Sequence, residues 1–148
     1  MKNSLLAVCT LLIASGCREL PYSPQVPPLA RAGQTVILDG FDGSLNAYVD
    51  LQGHRVGRYF NFTPYDSLTI SFSAERSAGG SGPVPLKLKV GPAYYLNGSL
   101  TGPKQDFAFY VPVHDLAKPG FAALTFFVAD TSSILLLTNL RVIGWYTY

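Results

Sequence analysis

Apolar and polar residues alternate along several short segments of the chain. The clearest segment is SLTISFSAE, Ser67–Glu75, in which every second residue from Leu68 to Ala74 is apolar. The segments VPLKLKV at 84–90 and DFAFYVPV at 106–113 repeat this period of two. Because the side chains of an extended chain alternate between its two faces, each segment is predicted to be a strand with one buried face.

Turn-forming residues separate these segments at the spacing of an all-β domain. The dipeptide Asn97-Gly98 is a strong turn signal, and RSAGGSGP at 76–83 is predicted to be a loop. FAALTFFVAD at 121–130 is apolar on both faces and predicts a central strand, whereas ILLLTNLRVIGWYTY at 134–148 predicts one long strand or two successive strands. No segment shows the hydrophobic period of an amphipathic helix. The predicted fold is therefore a single antiparallel β-sandwich over residues 35–148.

The first 34 residues have a different character. A short cationic start precedes an apolar block of roughly a dozen residues, which is shorter than the ~20 residues that a membrane-spanning helix needs. This pattern predicts a secretory signal peptide over residues 1–16. Residues 17–34 are rich in proline and lack any period, which predicts an extended tether.

The signal ends in ASGC, residues 14–17, which resembles the bacterial lipobox. The resemblance implies that Cys17 receives a diacylglycerol group on its sulfur, that the chain is cut before it, and that the new amino terminus is acylated. Several acyl chains would give a stable membrane anchor. Arg18, where an aspartate would retain the protein at the inner membrane, implies transfer to the bacterial outer membrane. The alternative is an ordinary signal peptide cut nearby, which leaves Cys17 as a free thiol.

Composition and charge further limit the class of protein and its partners. The second cysteine, Cys9, lies inside the predicted signal, so the exported domain would be stabilised by its core without a disulfide. The abundance of Gly, Pro and aromatic residues suits a β-sandwich. The formal net charge is only +2, and this near balance gives no long-range field that favours nucleic acid as a partner.

The order of strand segments, ending in NLRVIG at 139–144, resembles the galactose-binding-like jelly roll that many carbohydrate-binding modules share. The resemblance implies a β-sandwich and a sugar-binding role, and it also implies a structural calcium ion near the first and last strands. Asp39 and Asp42, in the segment DGFDG, are the candidate ligands because calcium prefers carboxylate oxygen. The alternative is that Asp and Gly occur there because a turn requires them.

Aromatic residues beside turns or near the chain end are candidates for stacking on a sugar ring. The aromatic residues selected are Tyr94, Tyr95 and Trp145. The segment GHRVG at 53–57 is predicted to be a hairpin loop. The polar residues in or next to it that are selected as partners for sugar hydroxyl groups are Arg55, Arg58 and Asn61. The alternative is that such aromatic residues belong to the core or to cross-strand packing.

Catalytic chemistry finds little support in the sequence. Glu19 and Glu75 are the only glutamates, and His54 and His114 lie far apart with no metal-ligand spacing around them. These residues form no acid–base pair of the glycosidase type and no catalytic triad. Together with the two resemblances, the sequence predicts a non-enzymatic binding module, lipid-anchored at the outer membrane, whose sandwich loops hold a carbohydrate or a similar polar ligand. The alternative function is a structural or accessory subunit that docks on an envelope protein complex.

Overall fold

A computed structural model describes residues 33–40 and 46–147 of the chain. The predicted signal peptide, Cys17, nearly all of the predicted tether, and Asp42 lie outside the described residues. Within the described ranges the chain forms nine strands: β1 (Gly33–Asp39), β2 (Asn46–Val49), β3 (His54–Arg55), β4 (Ser67–Ala78), β5 (Val84–Val90), β6 (Tyr94–Leu100), β7 (Lys104–Pro112), β8 (Leu124–Val128) and β9 (Ile134–Tyr146).

The strands form two antiparallel sheets. In the five-stranded sheet the order is β1–β9–β4–β7, with β2 paired to the start of β9. In the four-stranded sheet the order is β3–β8–β5–β6. The prediction of an antiparallel β-sandwich is confirmed.

The predicted alternation places the expected residues in the core. Leu68, Ile70 and Ala74 of β4 are fully buried, as are Leu88 and Val90 of β5. Most of their polar neighbours along each strand are more exposed, as a period of two requires, although two serines of β4 are buried as well.

Aromatic rings join the two sheets across the core. The Phe72 ring, from β4, stacks against the Phe107 ring at 5.3 Å between centroids within the five-stranded sheet. It also meets the Phe126 ring of the four-stranded sheet edge-on, at 5.1 Å and 83°. Edge-to-face pairs of this kind add about 1 kcal/mol beyond the area they bury.

The long strand β9 organises the five-stranded sheet. It is one continuous strand of 13 residues, paired along its length with β4 and at its two ends with β1 and β2. Asn139 has a φ of 58°, and the register with β4 shifts beside it, between Ser71 and Ser73. This bulge lets a long strand bend without ending.

Two local features differ from the sequence-based expectation. Asn97 and Gly98 lie in the middle of β6, and the turn between β5 and β6 lies at residues 91–93 instead, where Gly91 takes a φ of 65°. The first strand begins at Gly33, which pairs with Tyr146, rather than at Thr35.

Two single-turn 3-10 helices, Val113–Asp115 and Pro119–Phe121, connect β7 to β8. Among the described residues, no helix has the length and apolar character needed to cross a bilayer.

Candidate functional site

The outer face of the four-stranded sheet carries a row of side chains that crosses all four strands. Arg55 of β3 pairs with Thr125 of β8, Thr125 pairs with Lys89 of β5, and Lys89 pairs with Tyr95 of β6. The next row contains the buried residue Phe126, so the row of Arg55 to Tyr95 points away from the core. Arg55, for which a loop was expected, therefore belongs to a strand.

Two exposed aromatic rings lie beside this row. Tyr59 and Phe121 stack with 3.7 Å between ring centroids and 16° between ring planes. Tyr59 is 49% exposed and Phe121 is 59% exposed, although both are large rings. The chain thus holds a flat aromatic surface in contact with solvent, which is unusual for side chains that gain most from burial.

A short β-bridge positions these two rings. Phe60 and Ala122 form an isolated antiparallel bridge, with N–H to O=C distances of 2.7 and 3.0 Å. Both bridge residues are buried in the core. Because side chains alternate along an extended backbone, Tyr59, which precedes Phe60, is directed outward. Phe121 is the last residue of the 3-10 helix that leads into Ala122, and its ring is exposed as well.

Cationic groups flank the rings. The guanidinium carbon of Arg55 lies 4.3 Å from the Tyr59 ring centroid, and Lys89 Nζ lies 5.5 Å from the Tyr95 ring centroid. Both distances fall within the range of cation–π attraction. A stacked guanidinium keeps its N–H donors in its own plane, so Arg55 can still donate hydrogen bonds to a ligand.

These groups surround a shallow cavity of about 310 Å³, which is at the small end of ligand-binding sites. The residues that line it are Arg55, Tyr59, Lys89, Gly91, Pro92, Lys118, Phe121, Ala123 and Thr125. Three of them are cationic and none is acidic. We refer to this set of residues as the cationic–aromatic site.

The predicted ligand residues are divided among different places. Arg55 lines the cationic–aromatic site, and Tyr95 continues its row on the neighbouring edge strand. Tyr94, one residue earlier, is half-buried against the core. Burial raises the pKa of the Tyr94 hydroxyl above its usual value, and the negative charge of Asp115 adds to this.

Arg58 and Asn61 make contacts within the chain. Arg58 donates a hydrogen bond to the carbonyl of Ile37 at 3.2 Å, and its guanidinium carbon lies 4.8 Å from the Phe60 ring centroid. Asn61 accepts the backbone N–H of Thr63 at 3.1 Å, which is an Asx turn. Neither side chain lines the cavity.

Trp145 lies on the five-stranded sheet, apart from Arg55. Its indole N–H donates to Thr69 Oγ1 at 2.8 Å, and it lines a separate depression of about 240 Å³ together with Tyr110 and His114. Trp145 therefore does not share a ligand surface with the cationic–aromatic site.

The predicted calcium site is described only in part. Asp39 ends β1, and its Oδ1 lies 3.8 Å from Arg141 Nε. Asp42 is outside the described residues. Within residues 33–40 and 46–147, no group of three or more His, Cys, Asp or Glu side chains could hold a metal ion. Calcium binding at Asp39 and Asp42 stays a prediction.

Among the charged and aromatic residues of the site, four were not selected from the sequence: Tyr59, Lys89, Lys118 and Phe121. The outward position of Lys89 follows from the alternation in VPLKLKV, so its exposure was predictable. The pairing of Tyr59 with Phe121 was not, because it depends on a bridge between segments that are distant in sequence.

Comparison with known proteins identifies no family. No protein-family model matches the chain, and no curated protein matches it. Among solved structures, the chain is similar to a carbohydrate-binding module described as "CBM4 structure and function", at 18% sequence identity and a TM-score of 0.42. The alignment covers 69% of this chain and 60% of that chain, less than two thirds of its length. At this identity and score, the likeness assigns no function.

Proposed function

We propose that the protein is a non-catalytic binding module that holds carbohydrate at the cationic–aromatic site. In this proposal the domain is attached to the bacterial outer membrane through lipid on Cys17. The observation that carries the binding role is the solvent-exposed stack of Tyr59 and Phe121 beside the guanidinium of Arg55.

The chemistry of this surface suits a sugar. A pyranose ring presents axial C–H groups that pack against the flat face of an aromatic ring, and its hydroxyl groups need hydrogen-bond partners. Covering about 100 Å² of ring surface would contribute roughly 2.5 kcal/mol, since burial of apolar area contributes about 25 cal/mol per Å². Arg55 and Lys118 supply donors, and the hydroxyl of Thr125 can both donate and accept.

The alternative of a docking subunit predicts a different surface. A protein-docking site of that kind would be a flatter apolar patch of several hundred Å². Here the exposed rings alternate with Arg55, Lys89 and Thr125 around a cavity. This mixture favours a polar ligand with apolar faces, as a saccharide has.

The binding role is tested on a glycan array with the full-length protein in an uncharged detergent. Phe121→Ala is expected to weaken binding of any glycan hit about tenfold or more, given the ring area lost. Tyr59→Ala should also weaken binding, because it removes the ring that supports Phe121 and Arg55. Tyr48→Ala is the matched control, because Tyr48 is 66% exposed but lies on β2 of the other sheet. A folded protein that binds no glycan, or that binds equally well in all three variants, would contradict the proposal.

The lipid anchor has its own test. Metabolic labelling with palmitate is expected to mark the wild-type protein and Cys9→Ala, and to fail with Cys17→Ala. Equal labelling of the two cysteine variants would refute the anchor and leave the binding role untouched.

A further inference from the structure

The strands of the four-stranded sheet carry positively charged residues and no negatively charged ones. Strands β3, β5, β6 and β8 together contain no Asp or Glu, and they carry Arg55, Lys87 and Lys89. Lys87 lies in the next outward row, between Phe127 of β8 and Asn97 of β6. Lys118 adds a further cation from the loop that leads to β8.

The five-stranded sheet differs in this respect. Its strands mix acidic and basic residues, for example Glu75 opposite Lys104 and Asp39 opposite Arg141. The whole chain has 11 Lys and Arg against 9 Asp and Glu, which is close to balance. The positive face is therefore a local arrangement rather than a consequence of overall composition.

Elsewhere the arginines are engaged within the chain. Arg141 pairs with Asp39 at 3.8 Å, and Arg58 and Arg76 donate to the carbonyl groups of Ile37 and Gly82.

The cations around the cavity differ from those arginines. Within the described part of the chain, Arg55, Lys89 and Lys118 form no ion pair with a carboxylate and, unlike Arg58 and Arg76, no side-chain hydrogen bond to a backbone carbonyl. Like charges gathered without a counter-charge repel one another, and a bound anion would relieve that repulsion.

Building on the proposed function, we propose that the ligand of the cationic–aromatic site is an anionic glycan, a saccharide chain that carries carboxylate, sulfate or phosphate groups. The outer face of the Phe121 ring stacks on a sugar ring, while Tyr59 supports that ring from behind. The Arg55 guanidinium presents its N–H edge to a charged group, which its planar geometry suits.

The spacing of the cations fits a polymer better than a single sugar. Arg55 and Lys89 lie two strands apart, which is about 10 Å between their Cα atoms. Lys87 lies about 7 Å from Lys89 along β5, in the next outward row and outside the cavity itself. A chain that crosses the sheet would place successive charged groups near successive cations.

The test compares polymers that share a backbone and differ in charge. The full-length protein, in an uncharged detergent, is titrated with polygalacturonate and with its methyl ester, and separately with dextran sulfate and with dextran. We expect each acidic polymer to bind at least about tenfold tighter than its neutral partner at low salt. This advantage should shrink as salt shortens the screening length from about 30 Å at 0.01 M to about 3 Å at 1 M. The two pairs distinguish carboxylate from sulfate recognition.

Matched lysine variants localise the effect. Lys89→Gln is expected to weaken binding of the acidic polymer about fivefold. Lys104→Gln is the control, because Lys104 is an exposed lysine on β7 of the five-stranded sheet and should have no effect.

The outcomes separate the two proposals. Equal affinity for acidic and neutral polymers would overturn the anionic-glycan inference and leave carbohydrate binding standing. Binding of neither pair, with no hit on the glycan array, would remove the proposed function as well. Equal losses in Lys89→Gln and Lys104→Gln would show general charge attraction and would overturn the assignment to this site.

Discussion

The indole N–H of Trp145 donates a hydrogen bond to the hydroxyl of Thr69, with 2.8 Å between Nε1 and Oγ1. The two residues lie on the adjacent strands β9 and β4, and Thr69 is paired directly with Ile143. The bond is therefore diagonal, and it ties the last residues of β9 to the middle of the sheet. This places Trp145, a candidate for sugar stacking, in a structural interaction.

Removing the acceptor of this bond should destabilise the protein. Thr69→Val keeps the shape of the side chain and is expected to lower the free energy of unfolding by about 1 kcal/mol, the net contribution of a typical hydrogen bond. Thr69→Ser retains the hydroxyl and should lose less. Denaturant unfolding of the three proteins checks this, and an unchanged midpoint for Thr69→Val would contradict it.

Gly98 is expected to tolerate no side chain. A Cβ added there would lie 2.9 Å from Phe107 Cε1 and 3.3 Å from Phe109 Cζ, both on the opposite sheet. The Phe107 ring cannot easily move away, because it stacks against Phe72 in the core. Gly98→Ala should cost about 1–3 kcal/mol through overpacking.

Gly80→Ala is the control for this prediction. Nothing lies within 4 Å of a Cβ at Gly80, so its melting temperature should stay near that of the wild type. If Gly98→Ala melted at the same temperature as Gly80→Ala, the close approach of Gly98 and Phe107 would be incorrect.

Asp130 should make stability depend on acid pH. Hydrogen bonds from the Ser133 hydroxyl, and from the backbone N–H and hydroxyl of Ser132, lower the pKa of the Asp130 carboxyl from 3.8 to about 2. Because the folded pKa lies below the unfolded one, the stabilising effect is fully present above about pH 4 and is lost as pH falls towards 2.

The variant Asp130→Asn isolates this contribution. The asparagine does not titrate, so the difference in unfolding midpoint between wild type and variant should shift in favour of the variant as pH falls from about 4 to about 2. Denaturation curves across this range measure the difference. Parallel pH profiles for the two proteins would show that Asp130 is not the responsible group.

The contact between Arg55 and Tyr59 should be measurable without any ligand. A double-mutant cycle with Arg55→Gln and Tyr59→Leu is expected to give a coupling energy of about 0.5 kcal/mol, typical of an exposed cation–π pair. Arg58→Gln with Tyr59→Leu provides the comparison, since the guanidinium of Arg58 lies over Phe60 instead. Additive effects in the first cycle would speak against the stacked arrangement.

Sequence reasoning predicted the core more completely than the site. The alternation in SLTISFSAE and VPLKLKV identified the buried faces of β4 and β5, because a period of two depends only on local geometry. The turn predicted at Asn97-Gly98 was wrong, because glycine occurs both in turns and where a neighbouring side chain needs space. At position 98 it gives space to the Phe107 ring rather than forming a turn.

The site depends on contacts that a local pattern cannot contain. The sequence analysis predicted Arg55 as a ligand-binding residue but did not select its partner Tyr59. Phe121 was predicted to lie in a strand. Their association follows from the bridge between Phe60 and Ala122, which joins distant segments. A pairing of this kind becomes visible only once the register of the sheets is known.

Gly33 and Tyr146, the first residue of β1 and the last residue of β9, face each other across the pair of strands. A segment attached ahead of Gly33 and a segment attached after Tyr146 therefore leave the sandwich from the same corner. A purification tag at the carboxyl end would immobilise the domain on a sensor chip from the corner at which Gly33 begins β1. Surface-based measurements made in this way would keep the orientation that the proposed lipid anchor on Cys17 would impose.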